Sequence, residues 1–105
     1  MPSVRPMPVI LHIEHRIVEF DRWLEDFASR APAREQVGVS AVHVFQAEGD
    51  PQQVVELLYF DTADDANTYR TFMREDVWSS SSPGLDGNPH AIILNEVDTT
   101  SKSQA

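Results

Sequence analysis

The chain has 105 residues, 41% of them hydrophobic, with 4 glycines and 7 prolines, which suits one compact domain and excludes both a second independent core and a wholly disordered polymer. Eight basic against seventeen acidic residues give a net charge of -9, so a nucleic-acid partner and an anionic membrane surface are both disfavoured. The lack of cysteine excludes disulfides, thiol catalysis and cysteine-ligated metal centres, and it makes the cytoplasm the simplest compartment.

Residues 1–8 carry three prolines and two methionines ahead of the first apolar run and read as a flexible leader to the domain; the run itself is broken by His12 and Glu14, so it is no secretory h-region. No stretch approaches the ~20 apolar residues of a membrane helix, and a soluble protein is expected. The β-branched run 9–14 (Val-Ile-Leu-His-Ile-Glu) predicts an opening strand. Phe20, Trp23, Leu24, Phe27, Ala28 and Ala31 then recur at helical spacing, with Asp21 at the positive end of the dipole. Pro32 kinks or restarts this helix, 33–37 adds a further turn, and Gly38 closes it. Strand-like runs at 40–46 and 54–60 flank a turn at 47–52 and form an antiparallel hairpin. Thr62 with Asp65 has the form of a capping box, ahead of Ala66, Tyr69, Phe72, Met73 and Val77 on a second helical face. That helix ends in the serine run 79–82, a loop follows to Pro89, and 90–97 is a fourth strand. The domain therefore spans 9–98, and 99–105 is a disordered polar tail.

The order strand, helix, strand, strand, helix, strand is the split βαβ pattern of ferredoxin-like α+β domains: four antiparallel strands with two helices on one face. The strands do not alternate cleanly between apolar and polar. Val55, Leu57 and Tyr59 oppose Leu58 and Phe60, and Ala91 and Ile93 oppose Ile92 and Leu94. Two helices cover one face, so the other exposes an apolar patch, and a second copy related by a twofold axis is the economical cover. The expected assembly is a homodimer with sheets face to face around a cavity in each half.

Polar residues within the strands are the candidates for chemistry, since each costs a few kcal/mol to bury without a partner. His12 and Glu14 share a face with Ile10, opposite Val9, Leu11 and Ile13, and would face the cavity. His12 reads either as a general base whose tautomer Glu14 holds, or as a strand histidine satisfied by backbone or water. His43 and Glu56 are candidate cross-strand partners, as an ion pair before a catalytic dyad. His15 is expected at the exposed end of its strand, and His90 at a loop edge. Tyr69 is either a core tyrosine or a proton donor at the cavity mouth. Trp78 either caps the cavity or plugs the core, and Asn95 joins Tyr69 as a donor to a developing enolate oxygen. No compact His-x-x-x-His spacing supports a metal site, no Gly-x-Ser-x-Gly context supports a serine nucleophile, and no glycine-rich phosphate loop is present.

The segment His15-Arg16-Ile17-Val18-Glu19-Phe20-Asp21-Arg22-Trp23, Gly38-Val39 followed by His43-Val44-Phe45, Asp50-Pro51 before Val54-Val55, the face 66–72, and Gly87-x-Pro89 with a Leu94-x-Glu96-Val97 ending together resemble the dimeric α/β-barrel superfamily. The similarity is to its small proteins grouped with antibiotic-biosynthesis monooxygenase-like and polyketide-cyclase-like domains, and it covers 9–98. The resemblance implies cofactor-free oxygenation or aldol-type cyclisation of a polyphenolic or polyketide-like molecule in a barrel pocket, with His12, His43, Tyr69 and Trp78 as the available pocket positions and Glu14, Glu56 and Asn95 beside them. The expectation is a homodimer that binds a small aromatic molecule, without metal or cofactor, and acts as a monooxygenase or cyclase; the rival is a non-catalytic ligand-binding or structural dimer.

Overall fold

The computed structural model describes residues 8–78, 89–97 and 99. The proline-rich leader, the serine run with its loop, and most of the polar tail lie outside the described residues. Strands β1 (Val9–Arg16), β2 (Ala41–Ala47), β3 (Asp50–Phe60) and β4 (His90–Asn95) form an antiparallel sheet in the order β2-β3-β1-β4. Helices α1 (Phe20–Ser29) and α2 (Ala31–Val37) join β1 to β2. Helix α3 (Ala63–Phe72) runs into a π-helical turn, Met73–Val77. No helix among the described residues is long and apolar enough to cross a membrane.

Side-chain alternation sorts the sheet into two faces. Val9, Leu11, Ile13, Leu58 and Phe60 are buried with Ala66, Tyr69, Met73 and Val77, and this is the main core between the sheet and α3. A smaller core joins Ile17 and Val54 to Trp23, with Phe20, Phe27 and Val44 packed against it. Both cores lie on the helix-covered face. Each large aliphatic or aromatic side chain fully buried there contributes about 2 kcal/mol by area removed from water.

Local chemistry explains most of the element ends. Thr62 Oγ1 accepts a hydrogen bond from the Asp65 backbone N–H at 3.1 Å, which satisfies one orphan donor at the start of α3. The first helix is two helices: α1 stops at Ser29, Arg30 leaves helical geometry, and Pro32 sits in the first turn of α2, where its missing N–H costs nothing. Gly38 caps α2 with φ 95°, and its N–H reaches the carbonyl oxygens of Arg34 and Glu35. Leu24 and Ala28 do not belong to the packed face of α1 and are exposed; Trp23 carries the burial.

The hairpin is tighter than its composition predicts. The connection contracts to Glu48 and Gly49, with Gly49 at φ 80°, and β3 starts at Asp50. Pro51 is tolerated because it lies at the strand's beginning. The β1–β3 ladder extends accordingly, pairing Arg16 with Gln53, and the Ile17 N–H donates to the Gln52 carbonyl at 2.9 Å.

Replacing Gly38 by alanine adds a Cβ at an ordinary 3.5 Å from Asp65 Oδ2, so the cost is backbone strain rather than a clash. Thermal unfolding of Gly38→Ala is expected to show a loss of about 1 kcal/mol.

Candidate functional site

The uncovered face of the sheet is built by the register of three strand pairs. One row across it reads Ala41, Tyr59, Ile10, Leu94; the next reads His43, Leu57, His12, Ile92; the third reads Phe45, Val55, Glu14, His90. Apolar and aromatic groups occupy most of these positions. Phe45 is 51% exposed, Ile92 50% and Leu94 42%, an unusual load of large apolar surface for one side of a small sheet.

The polar groups are concentrated in the middle and at one end. His12 and His43 flank Leu57 in the same row, two strand spacings or roughly 10 Å apart. Neither imidazole has a hydrogen-bond partner among the described residues. His43 instead contacts rings, edge-on to Tyr59 at 5.7 Å between centroids and tilted to Phe45 at 6.5 Å. Glu14 stands directly opposite His90 and accepts a hydrogen bond from Gln53 Nε2 at 3.0 Å. At the far end Arg16 Nη1 reaches Asp50 Oδ2 at 2.9 Å, and that guanidinium holds the Asp50 carboxyl below the usual carboxylate range.

The other candidates lie on the opposite face. The residue across from Glu56 on β2 is Val44, while His43 is across from Leu57. His43 and Glu56 therefore point to opposite sides and are not partners. The hairpin register, which the run lengths alone leave undetermined, decides this. Glu56 is instead buried against His15, with Nε2 2.9 Å from Oε2 and side chains 5% and 2% exposed respectively. His15 is thus a core residue rather than an exposed strand end, because β1 runs on past Glu14 to Arg16. Trp23 packs edge-on to its ring at 5.4 Å. The His15–Glu56 approach is at ion-pair distance without hydrogen-bond alignment, and His15 Nδ1 has no partner among the described residues.

Tyr69 is 1% exposed in the main core. Burial, reinforced by the charge of Glu56, pushes its phenol above the ordinary tyrosine range, and nearby Arg34 offsets part of that effect. Arg34 is itself buried, donates to the Phe27 carbonyl at 2.8 Å and lies 3.8 Å from the centre of the Phe27 ring. Trp78 packs against the main core. Asn95 pairs with Val9 and so belongs to the helix-side register, exposed at the strand's end. Of the sequence candidates, the sheet brings His12, His43 and Glu14 together. It separates them from Glu56, Tyr69, Trp78 and Asn95 by its own thickness, so neither Tyr69 nor Asn95 shares a site with His12.

Tyr59, Gln53 and His90 are the polar members of the open face that were not singled out from sequence. Tyr59 was legible, since it alternates in phase with Leu57 and Val55. Gln53 was hidden because it falls between the turn at 47–52 and the strand run at 54–60, and His90 by its place next to Pro89. Two shallow grooves lie elsewhere: one of about 300 Å³ beside Arg22, Glu25, Asp26 and Ser29, the other of about 250 Å³ beside Arg34, Ser40 and Val42. Among the described residues no group of three or more histidine, aspartate or glutamate side chains converges as metal ligands.

No protein-family model matches the chain, and no curated protein matches it in sequence. Its fold is similar to that of a protein of unknown function from Nitrosomonas europaea, with a TM-score of 0.64 at 10% identity over 91% of this chain and 95% of that one. At that identity the likeness is one of fold.

Two outcomes test the assignment of the helix-side groups to structure. Glu56→Ala leaves His15 buried without its carboxylate, and chemical denaturation should register a loss of about 3 kcal/mol. In alkaline titration followed by tyrosinate absorbance, Tyr69→Phe should remove a step lying above pH 10. Because the folded-state pKa is raised, the native protein's stability holds below pH 10 and falls as pH climbs beyond it.

Proposed function

We propose that the chain is a ferredoxin-like subunit of a dimeric α/β barrel, whose uncovered sheet face receives a second copy and encloses a small aromatic or polyketide-like molecule. The observation that carries this reading is the open face itself: three rows of mainly apolar side chains with two histidines in the central row that have no hydrogen-bond partner among the described residues. The patch measures roughly 19 by 20 Å from strand and residue spacings, about half in projection of the ~800 Å² that each partner contributes to a standard protein interface, so side-chain relief and flanking residues would supply the rest.

Charge supports a second copy over other occupants. A protein of net charge -9 repels itself over most of its surface. The three rows hold one carboxylate, Glu14, and it is engaged by Gln53. Two copies approach with least repulsion along this face.

For the chemistry, His12 and His43 are the bases available to a ligand held between sheets. A neutral imidazole removes a proton from a phenol or an activated methylene, and the carbanion or phenolate so formed is the species that oxygenation or aldol cyclisation requires. Tyr59, edge-on to His43, is the phenol on the same side and takes the hydrogen-bonding role that Tyr69 and Asn95 are too remote to fill. The unengaged imidazoles favour this enzymatic reading over a purely structural dimer, in which the histidines would be tied into hydrogen bonds.

Light scattering after gel filtration should give twice the 11.8 kDa chain mass at neutral pH, and Ile92→Asp should halve it while leaving the far-ultraviolet spectrum unchanged. A wild-type protein that is monomeric at micromolar concentration defeats the reading. For catalysis, oxygen uptake with 1,8-dihydroxyanthrone as probe should fall about a hundredfold or more in His12→Ala, the lower range of a general-base contribution being 10²-fold.

A further inference from the structure

We infer that the paired assembly is acid-labile: protonation of His12 and His43 drives the two copies apart as the pH falls below the histidine range. The inference rests on the paired-sheet reading and adds its regulation.

The geometry supplies the charge. His12 and His43 sit in the central row of the open face, separated by Leu57, with no hydrogen-bonded partner among the described residues. A twofold interface repeats every group, so two imidazoles per copy become four in one contact. Imidazoles ordinarily gain a proton near pH 6.5. The other charged and titratable groups of this face do not balance them. Glu14 stands opposite His90 and is already engaged by Gln53. Arg16 is already cationic and is paired with Asp50. Tyr59 contributes a neutral phenol, and the remaining positions in the three rows are apolar. The helix-side acids, including Glu56, lie beyond the sheet. Protonated His12 and His43 would therefore place four positive charges within one largely apolar contact, where like charges are destabilising.

The sign of the effect separates this device from generic electrostatics. The chain has a net charge of -9 at neutral pH and a pI near 4.6, so acidification lowers its overall charge and, by itself, strengthens self-association. Dissociation on acidification requires positive charge concentrated on the contact surface. Contacts made elsewhere predict the reverse trend.

Sedimentation velocity on the whole protein at fixed ionic strength, in steps from pH 8.0 to pH 5.5, reads the effect directly. Each proton that pairing excludes raises the dissociation constant about tenfold per pH unit, so even two of the four imidazoles give about a hundredfold, with the circular dichroism of the folded chain retained. The double variant His12→Gln/His43→Gln should pair at both extremes and flatten the profile. A wild-type dimer that persists or tightens at pH 5.5 overturns the inference and leaves the paired-sheet reading intact. So does a double variant that still dissociates in acid. A protein monomeric at pH 8.0 overturns the paired-sheet reading itself.

Discussion

The in-register pairing of β1 with β3 is the constraint on which the rest of the structure depends. Leu11 opposite Leu58 and His12 opposite Leu57 are consecutive steps of one ladder. Because side chains alternate, the first pair enters the core beneath α3 and the second is left facing outward. A slip of one residue would bury His12 and Glu14 and expose Leu11 and Ile13, so the hydrophobic driving force of the core holds the register firmly. The open face is the by-product of that choice. Whatever the helices require on one side determines which residues stand on the other, and here the remainder is Ile10, Leu57, Tyr59, Ile92 and Leu94 rather than a solvated polar set.

The histidines show how strongly position governs what one residue type does. His15 and His12 are three residues apart on β1, yet one is packed against Trp23 and Glu56 and the other is half-buried on the open face with no hydrogen-bond partner among the described residues. Glu56 and Glu14 divide in the same way, one desolvated in the core and one exposed beside Gln53. The helix-side group of His15, Glu56, Tyr69 and Arg34 carries charge into the core, where desolvation makes such groups costly to separate and of limited use to a ligand. The open-face histidines carry no such obligation. The three rows of the open face hold one carboxylate, Glu14.

Much of the fold was legible because it rests on local rules. Thr62 before Asp65, Gly38 after Val37, the β-branched runs and the Trp23-centred helical face each name their element from neighbouring residues alone. The two-sided apolar character of the sheet was also legible, from Val55, Leu57 and Tyr59 against Leu58 and Phe60. What escaped depends on relations between strands. That Glu56 meets His15 rather than His43 follows from the hairpin register and from β1 continuing to Arg16, and neither is encoded in any short window. The six turn-forming residues 47–52 suggest a wide loop, but Gly49 at positive φ closes it in two residues and carries Asp50 to Gln53 into the strand. Tyr69 looked ambiguous because an apolar helical face says nothing of which side of the sheet it covers.

The most direct test of the account is isotope-filtered NMR on a mixture of labelled and unlabelled chains at pH 8. Contacts between copies from the Leu57, Ile92 and Leu94 methyl groups to the Tyr59 and Phe45 rings are the predicted result. Intermolecular contacts confined to Leu24 on the helical side, or none at all, would contradict it.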